Sequence, residues 1–323
     1  MKKLLYTLLA VTIIFSACKK EEDEPINSGN NTGNNGGTTV LTWEKTYFDG
    51  VGDEKGGAYC INQTSDEGYV FLCHSVSYVD FFMKIDENGN EEWRQEQFDP
   101  LKTFDFLANT NDGGFIIGGI VKDDSGNRAD SLIYLLKVNE YGNQEWNKVL
   151  ELQITSESDI DYIEQTSDGG YIIQKNNIVI KTNSQGILEW EKNFDIETIA
   201  HTSDGGYVMI DDDLVIKINS IGNIEWQNNF NCSECSFNSV KQTNDNGYIL
   251  AGYEGEKPDY ELLLIKIDAN GNIEWNKNFG GESDGEMAKQ TTDGGYIIIG
   301  STSSFGNGSS DVFIVKTDAL GNQ

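Results

Sequence analysis

Two histidines, five cysteines and a large surplus of carboxylates (53 Asp and Glu against 23 Lys and Arg) are what this 323-residue chain offers for chemistry. His74 and His201 do not stand at metal-ligand spacing from Cys232-Ser233-Glu234-Cys235, so a zinc centre is not indicated. A serine nucleophile would need a base and an elbow of the Gly-x-Ser-x-Gly kind, and that string does not occur. Paired carboxylates could serve as acid and base in glycoside hydrolysis, but so acidic a composition creates such pairs by chance and singles none out. The formal charge of −30 excludes nucleic acid as a partner, because a polyanion needs clustered Lys and Arg. It favours solubility and cationic partners, calcium among them.

The cysteines divide by position. Lys2 and Lys3 precede an apolar run, Leu4 to Phe15, that is too short for a stable transmembrane anchor. Phe15-Ser16-Ala17-Cys18 follows and resembles the lipobox of bacterial lipoproteins, with Phe15 departing from the usual Leu. The resemblance implies a signal peptide over 1–17, a fatty-acylated Cys18 and attachment to a membrane; a plain signal peptide cut after Ala17 is the other reading. Lys19 to Glu24 is similar to the charged tags that send some lipoproteins of Gram-negative bacteria to the outer-membrane surface, and equally suits a solvated spacer. Asn27 to Thr39 is nearly all Asn, Gly, Thr and Ser, so residues 18–40 form a flexible linker with a reach of roughly 25 Å. In an exported protein the other four cysteines are candidates for disulfides. Cys60 and Cys73 flank Asp66-Glu67 symmetrically, and a two-residue hairpin loop there would set them opposite each other; a bulge would spoil the pairing. Cys232 and Cys235 are expected to close a small loop.

What must position these residues is a repeat. Thr-x-Asp-Gly-Gly-Tyr recurs with small variations around Asp66, Asp112, Asp168, Asp204, Asp245 and Asp293. In step with it runs a second string: an apolar run, Lys, Asp or Asn, a Gly-Asn turn, then Trp. Its lysines are Lys84, Lys137, Lys181, Lys217, Lys266 and Lys316, and Trp93, Trp146, Trp190, Trp226 and Trp275 end five copies. One unit reads as four strands, with the Gly-Gly string as the first hairpin turn. Runs such as Leu262 to Ile265 and Tyr296 to Ile299 are apolar on both faces and must be covered on both sides. Stacked blades provide that cover. Residues 41–323 are therefore expected to form an all-β, six-bladed β-propeller of four-stranded blades. The last copy stops at Gly321-Asn322-Gln323, and the strand it lacks is present as Thr42 to Phe48, so the N-terminal strand is expected to close the ring.

The Asp-x-x-Gly-x-x-x-Trp turn resembles the repeat of quinoprotein-dehydrogenase-like propellers, and Thr-x-Asp-Gly-Gly-Tyr-Ile-Ile is similar to repeats of bacterial surface lipoproteins. The resemblance implies a propeller with Trp docked between blades. It does not carry the quinoprotein cofactor with it, because the adjacent Cys-Cys pair of those enzymes is missing and the expected blade number is six instead of eight. No cofactor is expected, calcium aside.

Six equivalent Asp and Lys residues make poor candidates for one active site. The Asp is expected to cap its own hairpin and the Lys to reach a carboxylate on the same rim. His201 takes a position held by Gln in most copies and reads as a packing variant. The aromatics at 69, 115, 171, 207, 248 and 296 read as core. Variation is concentrated on the opposite rim, in loops carrying Asp123, Asp124, Asp211, Asp212, Asp213, Glu254, Glu256, Asp259, Glu282 and Asp284. Loops on a rigid scaffold are the usual carriers of binding. These carboxylates are the candidate contacts, either as calcium ligands or as solvated charge. The leading expectation is a non-catalytic, monomeric, surface-displayed module that binds a protein or glycan. A hydrolase or lyase acting on an exported polysaccharide and an envelope scaffold are the alternatives.

Overall fold

A computed structural model describes residues 43–45, 47, 57–74, 80–96, 102–121, 132–152, 160–230, 232, 234–256, 260–305 and 310–323. Residues 1–42, with Cys18 and the predicted linker, lie outside them, as do Asp123, Asp124 and Asp259. All regular structure among the described residues is β-strand, 23 strands in six sheets.

Each sheet is an antiparallel meander. The first holds β1 (Gly57–Gln63), β2 (Tyr69–His74), β3 (Asp80–Ile85) and β4 (Glu91–Glu96). The second holds β5 (Phe106–Asn109), β6 (Phe115–Val121), β7 (Leu132–Val138) and β8 (Gln144–Leu150). The third is β9 (Tyr162–Gln165) to β12 (Leu188–Asn193), through β10 (Tyr171–Lys175) and β11 (Ile178–Thr182). The fourth is β13 (Thr198–His201), β14 (Tyr207–Asp211), β15 (Leu214–Ile218) and β16 (Ile224–Asn229). The fifth is β17 (Cys235–Gln242), β18 (Tyr248–Glu254), β19 (Glu261–Ile267) and β20 (Ile273–Phe279). The sixth has three strands, β21 (Ser283–Gln290), β22 (Tyr296–Thr302) and β23 (Asp311–Thr317).

The second and third strands are the β-branched, aromatic runs of the repeat, and they are buried on both faces because a neighbouring sheet covers each. Every residue of β10 is buried. The cores lie between sheets. Ile116, Ile133 and Leu135 of the second sheet pack with Ile163, Tyr171 and Ile173 of the third, and Val208 and Val215 of the fourth pack with Val240 and Leu250 of the fifth. Adjacent first strands touch (β1 with β5, β5 with β9, β13 with β17, β17 with β21), so the sheets converge along these strands in a propeller-like array.

The sixth sheet differs. One of its faces joins Ile298 and Val315 to a core shared with the fifth sheet. On the other, Met287, Ile299, Val312 and Ile314 are exposed, Val312 at 73%. Trp43 meanwhile lies against the first sheet, packed with Tyr47 and Tyr69 on the cluster of Phe71, Phe81 and Met83.

Candidate functional site

The two rims of the array have different chemistry. On the turn rim the repeated residues are tied to one another. In the second sheet Thr110 Oγ1 and the Gly114 amide donate to Asp112 Oδ1 at 2.5 and 3.0 Å, which caps the hairpin. Lys137 Nζ, on the buried β7, reaches Asp112 at 2.9 Å, Glu145 at 2.8 Å and the Val138 carbonyl at 3.0 Å. The repeated lysine, expected from the sequence to reach a carboxylate on the same rim, does so in all six sheets, and the carboxylate is the hairpin Asp. The lysine's second carboxylate escaped the sequence reading, although the glutamate immediately before five of the six Trp signalled it: Glu92, Glu145, Glu189, Glu225 and Glu274 take the first five lysines. A lysine stripped of water needs such partners, since an unpaired buried ammonium is costly. Partial burial alone would raise the Asp112 carboxyl, but the bonds from Thr110, Lys137 and Gly114 outweigh it and hold its pKa at about 2.

The same rim carries the Trp docking. Trp93 Nε1 donates to the Glu140 carbonyl of the next sheet at 3.0 Å, and Trp190 and Trp226 donate to Ser220 and Ala269 at 3.1 Å. Trp43 does the same toward the first sheet, donating to Glu87 at 2.8 Å. Each indole lies over a turn glycine. A Cβ on Gly142 would stand 2.9 Å from Trp93, and φ there is +76°.

On the opposite rim, the predicted acidic residues are spread over three sheets. Asp211 ends β14, and Asp212-Asp213 is a two-residue turn instead of a long loop, since Asp211 pairs with Leu214. Burial first, then Asp195, Asp212 and Asp213, raises the Asp211 carboxyl, and Glu197 nearby is raised by burial, Asp212 and Asp211. Glu254 accepts from Asn278 Nδ2 at 2.9 Å, and Glu282 from the Ser303 hydroxyl. Asp284 is not a loop residue. It lies within β21, which starts at Ser283, and it accepts from Asn238 Nδ2 at 3.0 Å; a bulge at Glu286 follows Gly285, where backbone of the fifth sheet approaches closely. Among the described residues no three His, Cys, Asp or Glu side chains converge as a metal-binding group.

The cysteine expectation needs one correction. Cys60 and Cys73 are free. Gln63 pairs with Tyr69, so the turn between them has five residues instead of two, and Cys60 faces Leu72 while Cys73 faces Ala58. A shift of one residue turns a side chain to the other face. Cys60 accordingly packs toward the second sheet and Cys73 on the opposite side, where burial pushes its thiol up to about 12. Cys232 and Cys235 are joined in a disulfide beside β17.

The converging first strands hold a set that the repeat concealed. Asn62, Ala108, Glu164, Ala200, Lys241 and Lys289 occupy one register position, paired with Val70, Ile116, Ile172, Val208, Ile249 and Ile297. One residue further on, Gln165, Gln242 and Gln290 accept from the Asn111, Ser203 and Asn244 amides of the preceding sheets' turns. His201 holds that place in the fourth sheet as a packing residue against Tyr207, with its Nε2 and the Tyr207 hydroxyl buried and without a hydrogen-bond partner among the described residues.

No protein-family model matches the chain, and no curated protein matches it. Solved structures do. A protein of unknown function from Bacteroides caccae is 15% identical, over 73% of this chain and 85% of that one, with a TM-score of 0.50. The WD40 domain of Neurospora crassa Pan2 is 11% identical, over 81% and 80%, also at 0.50. Chaetomium thermophilum Sqt1, bound to the N-terminus of ribosomal protein L10, is 10% identical, over 75% and 69%, at 0.51. At these identities the likeness is one of fold: the chain is a propeller-like, repeat-built β protein.

Proposed function

We propose that the chain is an exported interaction module, a six-bladed propeller closed by residues 42–48, anchored to the outer membrane through an acylated Cys18, with its loop rim turned to a partner. The observation that carries this reading is the difference between the rims. On the turn rim the repeated aspartates are used internally: Asp66, Asp112, Asp168, Asp204 and Asp245 each pair with a buried lysine. On the loop rim Asp211, Asp212 and Glu256 make no ion pair among the described residues, and the Asp211 cluster repels itself. A partner bearing Lys or Arg would relieve that repulsion, which favours a protein over a neutral glycan. Sqt1, a fold neighbour, is bound to the N-terminus of another protein, which is the kind of use proposed here.

A photo-crosslinking residue placed at Asp212 or Glu256 should capture a protein in intact cells, with a yield that falls as salt rises. The same residue at Asn88 or Asn270 on the turn rim should not. Capture from the turn rim alone would overturn the assignment. For the anchor, Cys18→Ser should abolish metabolic fatty-acid labelling; unchanged labelling would remove the lipoprotein reading.

A further inference from the structure

Exposed apolar side chains are not scattered evenly over this molecule. Of the fourteen large ones exposed among the described residues, seven stand in or beside the turns that follow the third strands. They are Tyr141 in the second sheet, Ile187 and Leu188 in the third, Ile221 and Ile224 in the fourth, Ile273 in the fifth and Leu320 after β23. Four of the others belong to the open face of the sixth sheet, so the turn rim holds most of the remainder. The turn tips Tyr141, Ile221 and Leu320 are 63%, 60% and 66% exposed, and none of the seven joins a core between sheets. An apolar belt that packs against nothing in the fold marks a contact surface.

The chain enters the array on this same rim. Trp43 Nε1 donates to the Glu87 carbonyl at 2.8 Å and Lys45 Nζ to Asn90 Oδ1 at 2.7 Å. Trp190 and Lys192 make the same two contacts with the next turn, to the Ser220 carbonyl at 3.1 Å and Asn223 Oδ1 at 3.0 Å. Residues 43–45 therefore run in the direction of β12, which starts at its turn and leads away from the turn rim. The chain reaches Trp43 from the turn-rim side, and a lipid on Cys18 would be joined to that rim by the linker read from the sequence.

We infer that the turn rim rests on a zwitterionic phospholipid surface, with its belt of isoleucine, leucine and tyrosine entering the boundary between headgroups and acyl chains and the loop rim directed away. The inference rests on the acylated Cys18 of the proposed function. Each side chain alone would bind lipid weakly, but a short tether keeps the rim at high local concentration beside the bilayer, where weak contacts suffice. Tyrosine suits such a boundary, with an apolar ring and a polar tip. Charge selects the lipid. Each of five turn-rim lysines meets two carboxylates, so the rim stays acidic on balance in a chain of formal charge −30, and anionic headgroups would repel it. A second copy would bring the same acidic rim against itself, whereas zwitterionic headgroups impose no such repulsion.

The molecule carries its own probe, because all six indoles lie over turn glycines on this rim. The full acylated chain, purified from membranes, is reconstituted into phosphatidylcholine vesicles with and without bromine on the acyl chains near the headgroup. Tryptophan fluorescence should be lower in the brominated vesicles, and phosphatidylglycerol added to the bilayer should weaken that quenching. Ile221→Ser with Ile224→Ser should reduce the quenching about twofold or more while the lipid keeps the protein on the vesicles. Phe305→Ser, on the loop rim, should leave it unchanged. Fatty-acid labelling of Cys18, measured on the same protein, separates the two readings. Labelled protein without quenching would overturn this inference and leave the anchor standing; quenching without label would remove the anchor and keep the lipid contact. Quenching that Ile221→Ser with Ile224→Ser does not alter would also overturn it. So would absent quenching with a dimer in detergent that these substitutions dissociate, which would assign the belt to a second copy.

Discussion

Lys137 gives up nearly all of its hydration, with its side chain 3% exposed, and recovers it from Asp112, Glu145 and a carbonyl. The arrangement has a pH signature. Asp112, Asp168, Asp204 and Asp245 stand at about 2 against an ordinary 3.8. A carboxyl whose pKa falls on folding adds stability that is present above its ordinary value and is lost as pH falls toward the folded one. Denaturant midpoints, on this account, should fall steeply between about pH 4 and pH 2 and change little from these groups between about pH 5 and pH 7. Asp211 runs the other way: its raised pKa weakens the fold at neutral pH, so Asp211→Asn should stabilise at pH 7 and do nothing near pH 3. His201 offers a separate test. In the third sheet Gln165 occupies the equivalent place, pairs in register with Tyr171 and accepts from the Asn111 amide. His201→Gln should therefore give the buried Tyr207 hydroxyl a partner and raise stability by about 1 kcal/mol, read as a higher melting temperature. The hairpin cap and the lysine's contact with a carboxylate of the same rim were legible because they recur. Lys241 and Lys289 were not, since a register position that reads Asn, Ala, Glu, Ala, Lys, Lys has no pattern until the strands are brought together.

Strands and turns follow the sequence closely where the turn chemistry is explicit. The Asp-x-x-Gly turn could be recognised from its glycine, but its second duty, leaving room for the preceding sheet's Trp, appears only in three dimensions. Two glycines separate these duties. Gly113 has φ +83° with nothing within 4 Å of a Cβ, whereas Gly271 has φ +84° with Trp226 at 2.8 Å. Gly113→Ala should cost about 1 kcal/mol for the left-handed backbone alone. Gly271→Ala should cost about 2–4 kcal/mol, because the indole must also move. Equal melting temperatures for the two variants would mean that Trp docking contributes little to cohesion between sheets. The Cys60–Cys73 pairing failed at this same scale. The residues around Asp66 form a five-residue turn closed by bonds between Thr64 and Gly68, and nothing in the composition of Thr64-Ser65-Asp66-Glu67-Gly68 distinguishes that length from two.

At the scale of the whole molecule, the two ends of the array match each other. Among the described residues the sixth sheet has three strands and an exposed apolar face, while Trp43 already occupies, on the first sheet, the place that a sixth outer-strand Trp would take. Closure by residues 42–48 would satisfy both ends, as the repeat count suggested from the sequence. Removing that segment should then expose an edge and forfeit the buried Trp43, at about 3–5 kcal/mol. A chain beginning at residue 49 should aggregate or melt well below one beginning at residue 40, and a copy of Ile273 to Phe279 appended after Gln323 should partly restore it. A finer test uses the one place where the repeat departs from itself. The residue before Trp is Glu in five copies but Thr42 in the sixth, and Lys316, lacking a glutamate, has Asp293 as its one carboxylate partner among the described residues, beside the Thr317 carbonyl, and is 44% exposed. If residues 42–48 lie beside β23, Thr42→Glu places a carboxylate where Glu274 stands relative to Lys266, at 2.7 Å. Thermal denaturation should then show a gain of about 1 kcal/mol that vanishes in the Lys316→Met background. A gain that persists without Lys316, or none at all, would mean that this strand does not close the ring.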